Sequence, residues 1–426
     1  MKRFAFILFV AHVCLISSGR HAWSNGVIRD SMGATSSGRG GTNIGHSDTG
    51  TVILDNPAAI INVNGNGLFE FGIDTVITDL DYGDPQNEAA SKTRPGVLPQ
   101  VSIIRKTEDG RWAYGLGIYA PAGYSATWTL NNPLLGNNAY KSFGALGKIM
   151  PALAYRVNDK LSIGGTFGVS VSHLELETPF FLQTGLLAGA PTIFDLQATG
   201  VTPSWSVGTQ YQLGPCTTIG ARFIGESRFT YDGSVRATVF GLGPDPLQSN
   251  FDADVKLAWP RSAGIGLVHS FCNCQRFSAD VVWYDWSHAY DSVDLKLKNG
   301  SNQMINGMLG PVVTDSFPLN WKDSISVRIG YEWFLRNSDV CRVGYVHNSR
   351  NLPSSTLTPL IPATLEHSFT VGYGTKWTKW RFDCAYQYSF APDRTVGTSA
   401  LAGGDFSGSG VESQAHWITL SLLRQF

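Results

Sequence analysis

The chain has 426 residues, 43% hydrophobic and 12% aromatic, with 47 glycines and only 15% charged side chains against the roughly 25% usual for soluble domains. Past the first 24 residues no uninterrupted apolar stretch reaches the roughly 18 residues of a spanning helix, so whatever meets a membrane must be strand. Removing Lys2, Arg3 and Arg20 takes the 32 basic residues to 29 against 33 acidic ones, with no basic run suited to phosphate backbones, which excludes a nucleic-acid partner.

In chain order, Lys2 and Arg3 precede an apolar run from Phe4 to Ile16, and small residues Ala22 and Ser24 follow. This is the pattern of an export signal, residues 1–24, cleaved after Ser24. The run is too short to anchor the chain, and Cys14 lacks the small residues that precede a lipoprotein cysteine. Residues 25–66 come next, with Gly38-Arg39-Gly40-Gly41 and Asn56-Pro57-Ala58. They are too few for a domain and too patterned for a linker, but a segment of this size can fill the interior of a barrel of more than eight strands.

From residue 67 the signal is strict alternation. Leu161, Ile163, Phe167, Val169 and Val171 alternate with Ser162, Gly164, Thr166, Gly168, Ser170 and Ser172. The same period of two recurs from Val201 to Leu213, from Ile325 to Trp333 and from Phe382 to Phe390, so one face of each strand suits hydrocarbon and the other a wet interior. Strands are expected near 67–78, 97–106, 111–121, 143–156, 161–173, 197–213, 216–231, 251–270, 275–298, 320–336, 339–348, 365–376, 379–390 and 412–426. That gives fourteen antiparallel strands, an even number as bacterial barrels require, joined alternately by short turns and by loops of roughly 15 to 30 residues. Trp333, Trp377, Trp380, Phe390 and Trp417 fall near strand ends, where interface girdles belong.

Two of the long loops carry apolar clusters: Phe180, Phe181, Leu182, Leu186 and Leu187 in 174–196, and Phe240 and Leu242 in 232–250. Exposed clusters of this kind mark a ligand surface, unless they pack on one another as a lid. Arg328 on the polar face is a candidate for a ligand's charge, or else a salt-bridge partner of Glu332. Cys216, Cys272, Cys274, Cys341 and Cys384 remain after cleavage; Cys216 could pair with Cys272 or Cys274 across neighbouring turns, or the thiols stay free. The Cys272–Cys274 spacing is too tight for a zinc pair, so neither metal nor cofactor is expected. The chain ends in Phe426, an aromatic terminus of the sort that outer-membrane barrel assembly machinery recognises.

The ordered set of motifs resembles the long-chain fatty-acid transporter family of outer-membrane proteins (FadL/TodX, OmpP1). The resemblance is carried by Gly38-Arg39-Gly40-Gly41, Asn56-Pro57-Ala58, Tyr114 to Gly123, Pro151 to Gly164, Asp285-Trp286-Ser287, Asn320 to Ser324 and the Tyr-rich penultimate strand. It implies a monomeric all-β transmembrane barrel (67–426), plugged by a hatch (25–66), in the outer-membrane bilayer. It further implies passive uptake of a hydrophobic ligand, captured on the loops and released sideways where the third strand kinks, by position at Ala120, Pro121, Ala122 and Gly123. Pro121 has no amide for the ladder and Gly123 tolerates unusual dihedrals, so a break there is physically reasonable; alternatively Pro121 ends the strand. Fatty acids are the leading ligand class and aromatic hydrocarbons the alternative. A lipolytic enzyme, suggested by His347 and Ser349 two apart, fails at Arg350; a general porin would lack the plug.

Overall fold

The computed structural model describes residues 27–182, 185–271, 274–335, 338–390, 392–401 and 405–426; the expected signal lies outside them. Fourteen antiparallel strands make the wall. They are β1 (Gly67–Asp84), β2 (Gly96–Lys106), β3 (Trp112–Asn132), β4 (Gly136–Arg156), β5 (Leu161–Phe181) and β6 (Pro191–Gly214). Four strands in two pieces follow: β7 (Thr217–Ile224, Ser227–Val239), β8 (Leu247–Trp259, Ser262–Phe271), β9 (Gln275–Tyr284, Ser292–Lys298) and β10 (Val312–Pro318, Ser324–Phe334). The wall ends with β11 (Val340–Asn348), β12 (His367–Trp377), β13 (Trp380–Phe390) and β14 (Gly410–Gln425), and β14 closes on β1 from Leu68↔Gln425 to Gly83↔Gly410.

The alternation sorts side chains as two solvents demand. Phe167 is 72% exposed and Val169, Val171, Ile325, Val327 and Ile329 also face outward, while Ser162, Thr166, Ser170, Ser326 and Arg328 are buried inside. Strand β12 needs 11 residues from His367 to Trp377, about 25 Å at the usual tilt, which matches an outer-membrane apolar band. Tyr331 packs on Trp333 and Trp112 on Tyr155 with tilted rings at one rim, and Phe369 stacks on Phe390 at the other.

Several expected boundaries are corrected. The strand expected to end at 121 runs to Asn132, and β3 reaches β4 through residues 133–135 alone; the long loops from β1 to β8 are likewise largely strand that continues beyond the membrane. Strands expected as unbroken over 216–231, 251–270 and 275–298 are interrupted at one height, where Pro260 lacks an amide and Trp286–Ala289 form a short helical turn. Trp417 is not a girdle residue: it shares the inward face of β14 with Ser413, Ala415, Thr419 and Ser421. Cys216 and Cys274 are both free and exposed, so that pairing is absent; Cys272 lies outside the described residues. On the extracellular side, the chain between β11 and β12 caps the lumen, with Trp128 Nε1 donating to the Pro359 carbonyl at 3.0 Å.

Candidate functional site: a filled lumen beside a broken wall

Residues 27–62 lie inside the barrel, nearly all buried. They hold two short helices, α1 (Ala34–Gly38) and α2 (Val52–Asp55), and a 3-10 turn over Pro57–Asn62. Elements this short are not stable alone; their polar groups are completed by the wall. Asp280 of β9 accepts the amides of Asn43 and Ile44 at 2.7 and 3.0 Å, and Thr370 of β12 accepts the Gly40 amide at 3.0 Å. Asn56 caps the turn by accepting the Ala58 amide and donates to the Ile44 and Thr209 carbonyls, so it joins two parts of the segment to β6. A side chain at Gly208 of β6 would collide with Asn56, a Cβ there lying 2.1 Å from Oδ1.

Arg39 is completely buried. It donates to Asp48 twice, to Asn43 and to the Thr42 carbonyl, and lies 3.6 Å from Glu332. Arg276 and Arg342 complete the cluster on Asp48 and Glu332. His46, Asp48 and Glu332 bring possible ligand atoms within 4.8 Å of one another. Both carboxylates are nevertheless taken by guanidinium groups, and three arginines around the same point repel a cation, so the donor set does not fit a metal.

The wall breaks at β3. Its lower half pairs with β2 from Lys106↔Ala113 to Val101↔Ile118, and above that point β2 is paired with β1 only. Against β4 the register jumps between Tyr119 and Ala122, one extra residue on β3. The inward face therefore switches from Ala113, Gly115, Gly117 and Tyr119 to Ala122, Tyr124, Ala126 and Trp128. A strap from the lumenal segment replaces β2: Ile28 bridges Ala122, the Arg29 amide donates to the Pro121 carbonyl at 3.0 Å, and the Gly123 amide to the Val27 carbonyl at 2.8 Å.

Arg29 and Asp30 tie the strap to two separate groups of wall strands. Arg29 pairs with Asp74 of β1, donates to the Ala120 carbonyl and lies over the Trp417 ring at 4.9 Å. Asp30 accepts from Asn348 and Ser368 at 3.1 and 3.3 Å. On one side of the strap is a cavity of about 200 Å³, lined by Val76, Leu80, Leu98, Ala122 and Trp417 within and by Phe143 and Ala145 on the outer face of β4, so it passes through the break. On the other side is a smaller space of about 70 Å³ lined by Met32, Leu54, Leu146, Trp259, Lys148 and Arg222.

Lys148 is 6% exposed and has no ion-pair partner among the described residues. Arg328 lines the same space but is engaged, donating to Ser326, to the Gly41 carbonyl and to Tyr284, and Glu332 pairs with other arginines instead. The sequence reading missed Lys148, although it stands on the inward register of an expected strand. It also missed Arg29, Asp74 and Trp417, whose meeting has no local signal.

The apolar residues expected on loops divide. Phe180 and Phe181 are strand residues at the top of β5, with Phe180 packed on Phe194 and Phe317; Leu182 and Leu187 are buried. Phe240 is half-buried, whereas Leu186 is 84% exposed and Leu242 is exposed. His347 and Ser349 separate, His347 stacking on His367 and Ser349 Oγ accepting the Ile325 amide.

The profile of a family described as outer membrane protein transport protein (OMPP1/FadL/TodX) matches residues 15–426. Among solved structures, a Pseudomonas aeruginosa FadL homologue superposes with a TM-score of 0.77 at 16% identity, covering 94% of this chain and 100% of that one. The P. putida toluene transporter TodX gives 0.78 at 20%, covering 93% and 99%. The Ralstonia pickettii toluene transporter TbuX gives 0.73 at 19%, again covering 93% and 99%. No curated protein sequence matches.

Proposed function

From the premise that this chain belongs to the OMPP1/FadL/TodX family of outer-membrane transport proteins for hydrophobic compounds, we propose that it takes up a hydrophobic molecule with an anionic head, a long-chain fatty acid being the simplest. Residues 25–66 act as the hatch, and the protein works as a monomer placed by the barrel assembly machinery. Ligand is captured at the extracellular rim around Phe180, Phe181, Leu182, Leu186, Leu187, Phe240 and Leu242. It then passes the strap and leaves sideways at Ala120 to Gly123.

The observation that carries this reading is the apolar cavity running through the wall where β3 is unpaired from β2, with a buried lysine that has no ion-pair partner among the described residues across the strap from it. A buried cation calls for an acceptor, and a carboxylate is the charge-assisted one. Lateral exit needs no energy source: each buried CH₂ is worth ~0.8 kcal/mol, so leaving an apolar cavity for bilayer is nearly level while leaving for water is costly. A second reading, uptake of a one-ring aromatic hydrocarbon, is favoured by the size of the cavity, about 200 Å³ where roughly 150 Å³ accommodates benzene.

Deleting Pro121 removes the single extra residue and lets β3 pair with β2 along its length. Proteoliposomes holding this variant should take up labelled fatty acid and toluene far more slowly than wild type. Undiminished uptake of both would refute lateral exit, and faster transport of toluene than of fatty acid by wild type would select the second reading.

A further inference from the structure

At the height where β7 to β11 leave the apolar band, three arginines repeat one arrangement. Arg228, Arg261 and Arg350 each donate Nε to a carboxylate set deeper in the wall: Glu226, Asp285 at 2.5 Å and Glu366 at 2.7 Å. The arginine side chains are 71, 49 and 61% exposed, the carboxylates 13, 6 and 10%. The terminal amino groups of Arg261 and Arg350 have no protein partner among the described residues; Arg228 shares one with His288 Nε2 at 2.8 Å.

The three stand side by side. Arg228 lies opposite Ala258 of β8, the Arg261 carbonyl accepts the Asp285 amide beside β9, and Arg350 follows Ser349, whose amide donates to Ile325 of β10. Four strand spacings of ~4.8 Å make the row about 19 Å wide. Exposed Lys322 belongs to it, and Asp323, an exposed acid at this height, is taken by Trp283 Nε1 and the Ser287 amide. Beneath the row Ile325 and Val281 face the bilayer.

Exposed ion pairs add little to stability, so three alike at one level need another reason. An arginine held by Nε has its plane fixed and its outer amino groups turned away from the carboxylate, ready for a tetrahedral oxyanion. The row sits where the headgroups of the outer leaflet lie. We infer that it binds the phosphorylated headgroup of an anionic glycolipid of that leaflet.

Native mass spectrometry of the detergent-purified barrel, titrated with bis-phosphorylated lipid A or its phosphatase-treated form, tests this. Wild type should hold the phosphorylated form at least roughly tenfold more tightly, the size of one good charge-assisted contact. The variant carrying Arg228→Gln, Arg261→Gln and Arg350→Gln should lose that preference while keeping the heat-sensitive gel mobility of a folded barrel. Replacement of all three by Lys keeps charge but not the fixed plane, and should retain only part. The proposal fails if wild type shows no preference, if the folded Gln variant matches wild type, or if the Lys variant does. Should the triple Gln variant not fold, single variants decide: a fall in preference in each supports the site, and no fall in any overturns it.

Discussion

A Cβ on Gly344 of β11 would lie 2.2 Å from the amide nitrogen of Gly40, so the lumenal segment meets the wall there backbone to backbone. Gly40 itself has φ of 69°, a region glycine enters without strain. Gly344→Ala must push the segment inward, at an overpacking cost of about 1–3 kcal/mol. The expected outcome is faster cleavage within residues 27–66 by protease added to the purified barrel, with the barrel still folded. Cleavage at the wild-type rate would show that the two backbones can part freely.

Arg29→Ala leaves Asp74 buried without its cation, a loss of about 3–5 kcal/mol for a buried pair. Because Arg29 also holds the Ala120 carbonyl and covers Trp417, the strap should detach from the break. Planar-bilayer recordings should show longer and more frequent openings than wild type. Asp74→Asn should act in the same direction but less strongly, since an amide oxygen can still accept from Arg29; an equal or larger effect would point to a different anchor.

Lys148→Met keeps the length and packing of the side chain and removes its charge. Loss of a charge-assisted bond of about 1.5–3 kcal/mol should weaken fatty-acid binding by roughly 10- to 150-fold and leave toluene binding within about twofold. Calorimetric titration with both ligands reads this directly. Equal weakening of both would mean that Lys148 shapes the cavity and does not meet a head group.

Acid should loosen the lumenal segment in two stages. Burial, and then the guanidinium groups of Arg39 and Arg276, hold the His46 pKa well below its ordinary 6.5. Burial works to raise Asp48, but the same two arginines outweigh it and hold that carboxyl well below 3.8. Once the segment is released both groups return to ordinary values, so the released form binds more protons below 6.5 and again below 3.8. Each drop in pH therefore favours release, and bilayer conductance should rise first below 6.5 and further below 3.8. Neither ring nitrogen of His46 has a hydrogen-bond partner among the described residues, so His46→Leu should cost little and abolish the first rise alone. An unchanged profile in that variant would locate the acid response elsewhere.

The wall was legible in the sequence because its signal is local. A strand between lipid and a polar interior must alternate, and Leu161 to Ser172 or Ile325 to Trp333 show this within about ten residues. The same logic misjudged the upper barrel. Beyond the bilayer the outer face of β3 to β6 becomes polar while the strands continue, so the apolar stripe ends well before the strand does.

The site was legible only in part. Pro121 marks, from its own covalent chemistry, a place where the ladder can fail, whereas Asn56-Pro57 stands out in the sequence only as a family motif and its cap and turn emerge from the structure. Lys148 could have been picked out as a lone cation on an inward register. Nothing near Trp417 in the chain told that it would receive Arg29, and Trp417 was placed on the wrong face.

By itself, the sequence determined that this chain forms a closed antiparallel barrel with an apolar exterior, since period-two patterning and the need to satisfy every backbone amide in hydrocarbon leave no other solution. Only the tertiary structure decided what fills the barrel and where the wall opens. Those depend on contacts such as Gly40 with Thr370 and Asp30 with Ser368, more than 300 residues apart, and on a one-residue register shift between β3 and β4. Such pairings are fixed by closure of the whole sheet around the segment, and a local pattern carries no record of them.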